Sequence, residues 1–156
     1  MRYCNIDVAM GEGDGYRLAP VRDVRARQQR VREGDLAGAV GDARSARTAL
    51  DAATVQVNAA RAAIEDAREQ LAARLAHGAT SAAILRAERH LARLRRDLEG
   101  VLAAQARADA AHRGQLAEVD AARERLTVAR AEKELIERHF ARWRQERTKL
   151  ADRRED

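Results

Sequence analysis

Apolar residues recur every seven positions along two long stretches of the sequence, and a single glycine-containing break separates these stretches. The first stretch has rows Leu50, Val57, Ile64, Leu71 and Ala46, Ala53, Ala60, Ala67. The second has rows Ile84, Leu91, Leu98 and Ala87, Leu94, Val101, which resume after a polar patch as Val119, Leu126, Phe140 and Ala122, Ala129, Ile136, Trp143, Leu150. A strict seven-residue repeat is typical of a coiled-coil seam and not of the wider apolar face of a globular helix. The sequence therefore predicts an all-α fold.

The composition favours the same fold class. Pro occurs once and aromatic residues make up only 3% of the 156 residues, while Ala, Arg, Leu and Glu, which form helices well, are abundant. Large side chains that fill a globular core are scarce, so a conventional globular enzyme is not expected.

The helix boundaries follow from local signals. Pro20 suits the first turn of a helix, Gly78 suits the residue after a helix end, and Thr80 or Ser81 can cap the next helix. We expect a leader at 1–15 with flexible glycines and a helical hairpin at 16–156. Within the hairpin, helix one covers about 20–76, the turn about 77–80 and helix two about 81–152.

A turn this short predicts a long antiparallel two-helix coiled-coil hairpin, in which facing residues have numbers that add to about 155. The rule pairs Leu71 with Ile84, Ile64 with Leu91, Val57 with Leu98, and Leu36 with Val119. Because helix one begins near Pro20, roughly the last twenty residues of helix two should extend past it without a facing helix.

This overhang holds the candidate partner-binding residues. Ile136, Phe140 and Trp143 follow i, i+4, i+7 spacing on one helix face. An exposed apolar stripe of this kind is typical of an interface, although the leader could instead fold back through Tyr16 and Leu18 and cover it. The neighbouring cations Arg142, Arg144 and Arg147 are candidate charge partners for an acidic protein surface.

The charge pattern and hydropathy limit the partners. The 30 basic and 25 acidic residues alternate along the chain, unlike the one-sided basic stripe of a nucleic-acid-binding surface, so no nucleic acid is expected. No run approaches the roughly 20 apolar residues that a membrane span needs, so direct membrane insertion is not expected. Cys4 is the only cysteine, which favours a reducing, cytoplasmic setting.

Two features interrupt the repeat, and each has two interpretations. Gln105, His112 and Gln115 fall on the seam of helix two, where polar residues commonly set register, although His112 could also sense pH. Three glycines near the start of helix one, Gly34, Gly38 and Gly41, indicate either a hinge or a close helix contact.

Nothing in the sequence indicates catalysis. The histidines lack zinc-binding spacing, no nucleophile and base are brought together, and no glycine-rich phosphate loop is present. We therefore expect no enzyme activity, no metal and no cofactor.

Two segments resemble the FliJ/YscO family, the small coiled-coil stalk proteins of bacterial type III secretion systems. YRLAPVRDVRARQQRV (16–31) is similar to the start of the family's first helix, and KELIERHFARWRQERTKLADRRED (133–156) is similar to its charged C-terminal helix. The aromatic and basic C-terminal segment looks closer to the injectisome branch, but the resemblance does not separate injectisome from flagellar export.

The resemblance implies a non-catalytic central stalk in the cytoplasm, peripheral to the inner-membrane export apparatus. Such a stalk enters the hexameric export ATPase, contacts the export gate protein and also escorts secretion chaperones. Two alternatives remain open, namely a self-associating structural coiled coil and a membrane-surface scaffold of the phage-shock type.

Overall fold

The computed structural model describes residues 15–155, with side chains described to 153, and this range consists of two helices and the segments beside them. Helix α1 spans Ala19–Ala76 and α2 spans Ser81–Glu155. The predicted all-α helical hairpin is confirmed, since the described range contains no strand. The predicted flexible leader lies outside the described residues, except for Gly15.

The turn between the helices is built by Gly78 and Thr80. Gly78 has a φ of 75°, which places it in the left-handed region, and its N–H donates to Leu75 O at 3.2 Å. The Ala79 N–H donates to Arg74 O at 3.0 Å, and together these two bonds form a Schellman motif. Thr80 then caps α2, because its Oγ1 accepts a bond from the Ala83 N–H at 3.4 Å.

The chain divides into two compact units. The turn unit comprises Ala37–Ala121, and the terminal unit comprises the residues up to Leu36 together with those from Ala122 onward. The division of α1 lies within the segment that contains Gly34, Gly38 and Gly41.

The core of the turn unit follows the predicted repeat. Ile64 and Leu91 are 4% and 5% exposed and lie with Ala67 in one cluster, against which Leu71, Leu94 and Leu98 pack. The predicted pairing of Ile64 with Leu91 is therefore confirmed. The pairings of Leu71 with Ile84, Val57 with Leu98 and Leu36 with Val119 stay predictions.

The terminal unit has an apolar seam on α2 and a largely polar one on α1. Ala122, Leu126 and Ala129 of α2 are buried. The half-buried positions of α1 in this unit include Arg22, Arg25, Ala26, Gln29 and Glu33. The shift of the apolar pattern between Val31 and Leu36 thus turns polar side chains toward the seam.

The three glycines near this shift do not mark a close contact between helices. A Cβ added to Gly34, Gly38 or Gly41 would have no neighbouring atom within 4 Å. The close-contact interpretation was therefore wrong, and a hinge at these glycines stays a prediction.

Candidate partner-binding surface

An aromatic cluster in the terminal unit joins Tyr16, which lies three residues before the start of α1, to the C-terminal part of α2. The Tyr16 ring lies 5.0 Å from Phe140 and 5.2 Å from Trp143 between centroids, and Phe140 stacks on Trp143 at 5.8 Å. Tyr16 itself is only 9% exposed. Helical spacing places Phe140 and Trp143 on one face, so a single ring can contact both.

Polar contacts add to the same cluster. The Tyr16 hydroxyl is hydrogen-bonded to His139 Nδ1 at 2.9 Å, and the Arg22 guanidinium lies 4.6 Å from the centre of the Phe140 ring. Sequence reasoning missed His139 and Arg22 as members of this cluster. The residue numbers of Tyr16 and His139 add to 155, the sum that the antiparallel pairing rule uses. The rule could therefore have indicated that His139 faces Tyr16.

The position of Tyr16 distinguishes the two interpretations of the apolar stripe at Phe140 and Trp143, which were an open interface and internal cover. Tyr16 packs on Phe140 and Trp143, so these side chains are half-buried and do not form an open stripe. Ile136 and Leu18 are half-buried as well. Internal cover by Tyr16 is therefore observed, and the part of α2 that lacks such cover begins after Trp143.

The last described turns of α2 are exposed and basic. Every residue from Arg144 to Arg153 is exposed, including Leu150 at 51%. The predicted charge partners Arg142, Arg144 and Arg147 are all exposed, and the Arg144 guanidinium lies 5.9 Å from the Phe140 ring centre. We call the surface formed by Phe140, Trp143 and residues 144–153 the basic end of α2.

Ion pairs link α1 and α2 next to this surface. Arg25 Nη1 lies 2.6 Å from Glu132 Oε2, and Arg130 lies 3.5 Å from the Glu33 carboxylate. Glu33 also accepts a bond from Gln29 Nε2 at 2.8 Å. The Gln29 bond, followed by Arg130, holds the pKa of Glu33 below the ordinary value for glutamate.

The polar seam residues of the turn unit differ in their contacts. Gln105 Nε2 donates to Thr54 Oγ1 of the facing helix at 2.9 Å, a bond that favours one register. His112 Nδ1 is buried and has no hydrogen-bond partner among the described residues, and Gln115 is half-buried. The interpretation of His112 as a pH sensor stays a prediction.

The described residues hold neither a metal-binding group nor a membrane span. No three or more His, Cys, Asp or Glu side chains in this range lie close enough together to hold a metal ion. Neither α1 nor α2 contains a segment long and apolar enough to cross a membrane.

Comparison with protein-family models, with curated proteins and with solved structures found no match to this chain. The fold class, an all-α helical hairpin, therefore rests on the structure itself, and the resemblance to the FliJ/YscO family stays a prediction.

Proposed function

We propose that this protein is a non-catalytic central stalk of a bacterial type III secretion export apparatus. It binds the hexameric export ATPase through the basic end of α2 and couples that ATPase to the export gate. Escort of secretion chaperones belongs to the same proposal. The observation that carries it is the exposed, basic end of α2 beside an aromatic cluster on a two-helix hairpin.

The charge distribution supports a basic surface in the terminal unit. Residues 15–36 and 122–153 hold 16 basic and 9 acidic side chains, whereas residues 37–121 hold 12 basic and 11 acidic ones. Over the whole terminal unit, residues 1–36 and 122–156, 18 basic and 14 acidic side chains account for four of the five excess positive charges of the chain. Such a surface accelerates encounter with an acidic partner and makes binding sensitive to salt.

The width of the units also suits a stalk. With a diameter of about 10 Å for each helix, two packed helices measure about 20 Å across, which a ring of subunits can enclose. A stalk affects hydrolysis only if it binds ATPase subunits in different nucleotide states with different affinities. The protein then needs no catalytic residue of its own.

The test measures the ATPase rate of the cognate export ATPase with wild-type protein and with Arg144→Glu/Arg147→Glu. Wild-type protein should stimulate the rate, and the charge-reversal variant should lose most of this stimulation. Arg86→Glu/Arg89→Glu is the matched control, because these arginines are exposed, have the same spacing and lie in the turn unit. Absence of stimulation by wild-type protein at low salt would contradict the stalk assignment.

A second variant, Phe140→Ala/Trp143→Ala, tests the aromatic part of the surface. Because both rings pack against Tyr16, its helicity must first be compared with that of wild type by circular dichroism. A helical variant that still stimulates the ATPase fully would exclude these rings from the contact.

A self-associating structural coiled coil is the second candidate, and the exposed valines of α1 favour it. Sedimentation velocity separates the two functions, since a stalk is monomeric without its ATPase and a structural coiled coil is not.

A further inference from the structure

Three valines of α1 in the terminal unit are exposed, although valine usually lies inside a coiled coil. Val21, Val24 and Val31, here called the valine row, are 38%, 46% and 59% exposed. The row does not serve the pairing with α2, because the half-buried side chains between Val21 and Val31 are instead Arg22, Arg25, Ala26 and Gln29. Its apolar surface is therefore available to another molecule.

Grooves connect the valine row to apolar residues of α2. One shallow groove is lined by four residues of α1, namely Val24, Gln28, Val31 and Arg32. A second groove is lined by Gln28 and Arg32 of α1 and by Val128 of α2. Since Gln28 and Arg32 line both grooves, the two grooves are adjacent within the terminal unit. Val128 is 59% exposed.

The spacing of these apolar residues fits a helical occupant. Val24 and Val31 are seven residues apart, which places them about 10.5 Å apart along one face of α1. A helix with apolar residues at the same seven-residue interval can place its side chains between them. Scattered exposed valines are ordinary in proteins, but a row at seam spacing beside a groove is typical of an interface.

The charges around the row select the chemistry of the occupant. Arg27 and Arg30 lie between Val24 and Val31 in the sequence, and both are exposed. Arg25 and Arg32 line the second groove together with Glu124 and Glu132, but both arginines are already in ion pairs, with Glu132 and Asp35. The cations left for an occupant are therefore Arg27 and Arg30. With 16 basic and 9 acidic side chains in residues 15–36 and 122–153, a second copy of the chain would bring like charges together, whereas an acidic helix would neutralise them.

We propose that the valine row and its adjoining grooves bind an acidic amphipathic helix of a partner protein. The helix packs its apolar residues against Val24, Val31 and Val128, and its carboxylates pair with Arg27 and Arg30. This site is separate from the basic end of α2 and does not depend on the proposed stalk function.

The test uses a fluorescein-labelled synthetic helical peptide with leucine at the a and d positions of three heptads and glutamate at the flanking positions. Its affinity for the full-length protein is measured by fluorescence anisotropy at low salt. In Val24→Gln/Val31→Gln the affinity should fall about tenfold, because two apolar contacts are lost while the net charge is unchanged. Gln also preserves helix propensity, so the variant should remain folded.

Val55→Gln/Leu85→Gln is the matched control, since these residues are 66% and 47% exposed and lie in the turn unit. It should bind the peptide as wild type does, and a scrambled peptide of the same composition should bind at least about tenfold more weakly. Equal binding of the scrambled peptide, or equal loss in both variants, would reduce the interaction to general charge attraction and overturn the proposal.

Two further outcomes would assign the row to a different occupant and also overturn the proposal. One is a wild-type dimer that Val24→Gln/Val31→Gln dissociates, which would make the occupant a second copy. The other concerns a fluorophore attached to Cys4, the only cysteine. The outcome would be a lower anisotropy of this label in Val24→Gln/Val31→Gln than in wild type, measured without peptide. That fall would show that residues 1–14 of this chain occupy the row.

Discussion

Tyr16 covers the aromatic part of the proposed ATPase contact. It lies before the first turn of α1, yet it is buried against Phe140 and Trp143 of α2 and hydrogen-bonded to His139. The sequence suggested Tyr16 as one possible cover for the stripe, on the basis of its aromatic ring and position. It could not choose between cover and an open interface, since both use the same apolar side chains.

Replacing Tyr16 with alanine should expose Trp143 and destabilise this end of the terminal unit. We expect the free energy of unfolding to fall by about 2 kcal/mol or more in Tyr16→Ala, and by about 1 kcal/mol in Tyr16→Phe, which loses only the hydroxyl. Trp143 is the only tryptophan, so its emission maximum reports on the cluster directly and should move to longer wavelength in Tyr16→Ala. An unchanged emission maximum in that variant would contradict the observed packing.

Glu33 should contribute to stability in a pH-dependent way. Its pKa is held below the ordinary value by the Gln29 bond first and by Arg130 after it, so ionised Glu33 favours the folded state. This contribution is present above the pKa of glutamate in the unfolded chain and is lost as the pH falls through the folded-state pKa. A carboxyl titration by NMR should find a higher Glu33 pKa in Gln29→Ala than in wild type.

Gln70→Ala serves as the control for that titration, because Gln70 is an exposed glutamine of α1 in the turn unit. A Glu33 pKa that is identical in Gln29→Ala and wild type would remove the hydrogen bond as its cause.

The bond between Gln105 and Thr54 should show coupling between the two helices. Thr54→Val leaves the half-buried Gln105 amide without its acceptor and should cost about 1 kcal/mol, whereas Thr54→Val/Gln105→Leu should restore much of that loss. Urea denaturation followed by circular dichroism measures both variants and Gln105→Leu alone. If the effects of the two single substitutions simply add, the bond does not couple the helices.

At the scale of elements, local sequence signals placed the helices well. The break at LAHGATS contains Gly78, which suits a positive φ, and Thr80, whose hydroxyl can cap a helix. In the structure, α1 ends at Ala76 and α2 begins at Ser81. The sequence put the other end of helix two at about 152, whereas α2 continues to Glu155. Terminal turns lack a strong stop signal such as glycine or proline, and their limits are correspondingly harder to predict.

Glycines in the turn and in the helix should respond to alanine in opposite directions. Gly78→Ala should lower the free energy of unfolding by about 1 kcal/mol, because an L-residue at a φ of 75° is strained. Gly38→Ala should raise it by up to about 1 kcal/mol, since Gly38 is helical and exposed and an added Cβ meets no atom within 4 Å. Thermal denaturation measures both, and a destabilised Gly38→Ala would indicate that this glycine is needed for a bend.

At the scale of the whole molecule, charge is unevenly distributed between the two units. The 12 basic and 11 acidic residues of positions 37–121 nearly cancel, whereas positions 1–36 and 122–156, the whole terminal unit, hold 18 basic and 14 acidic residues. The alternation of signs along the sequence concealed this difference, because each short window contains both signs. Both proposed binding surfaces lie in the unit with the excess positive charge.

Like charges in the terminal unit should keep the protein monomeric at low salt. Sedimentation velocity of the free protein should give a species of 17.3 kDa, and any self-association should increase with salt as repulsion is screened. A stable dimer at low salt would favour the structural coiled coil over the stalk.

The all-α class, the position of the turn and the seam around Ile64 and Leu91 could all be predicted from the sequence. These features depend on helix propensity, a seven-residue period and turn chemistry, all of which act over a few neighbouring residues. Two features could not be predicted and are seen only in the packed helices. Tyr16 covers Phe140 and Trp143, and Val24 and Val31 lie exposed while Gln29 and Glu33 are half-buried at the seam. The physical reason is that these outcomes depend on which facing residues of α2 are in reach, and that is a property of the packed pair of helices rather than of either helix alone.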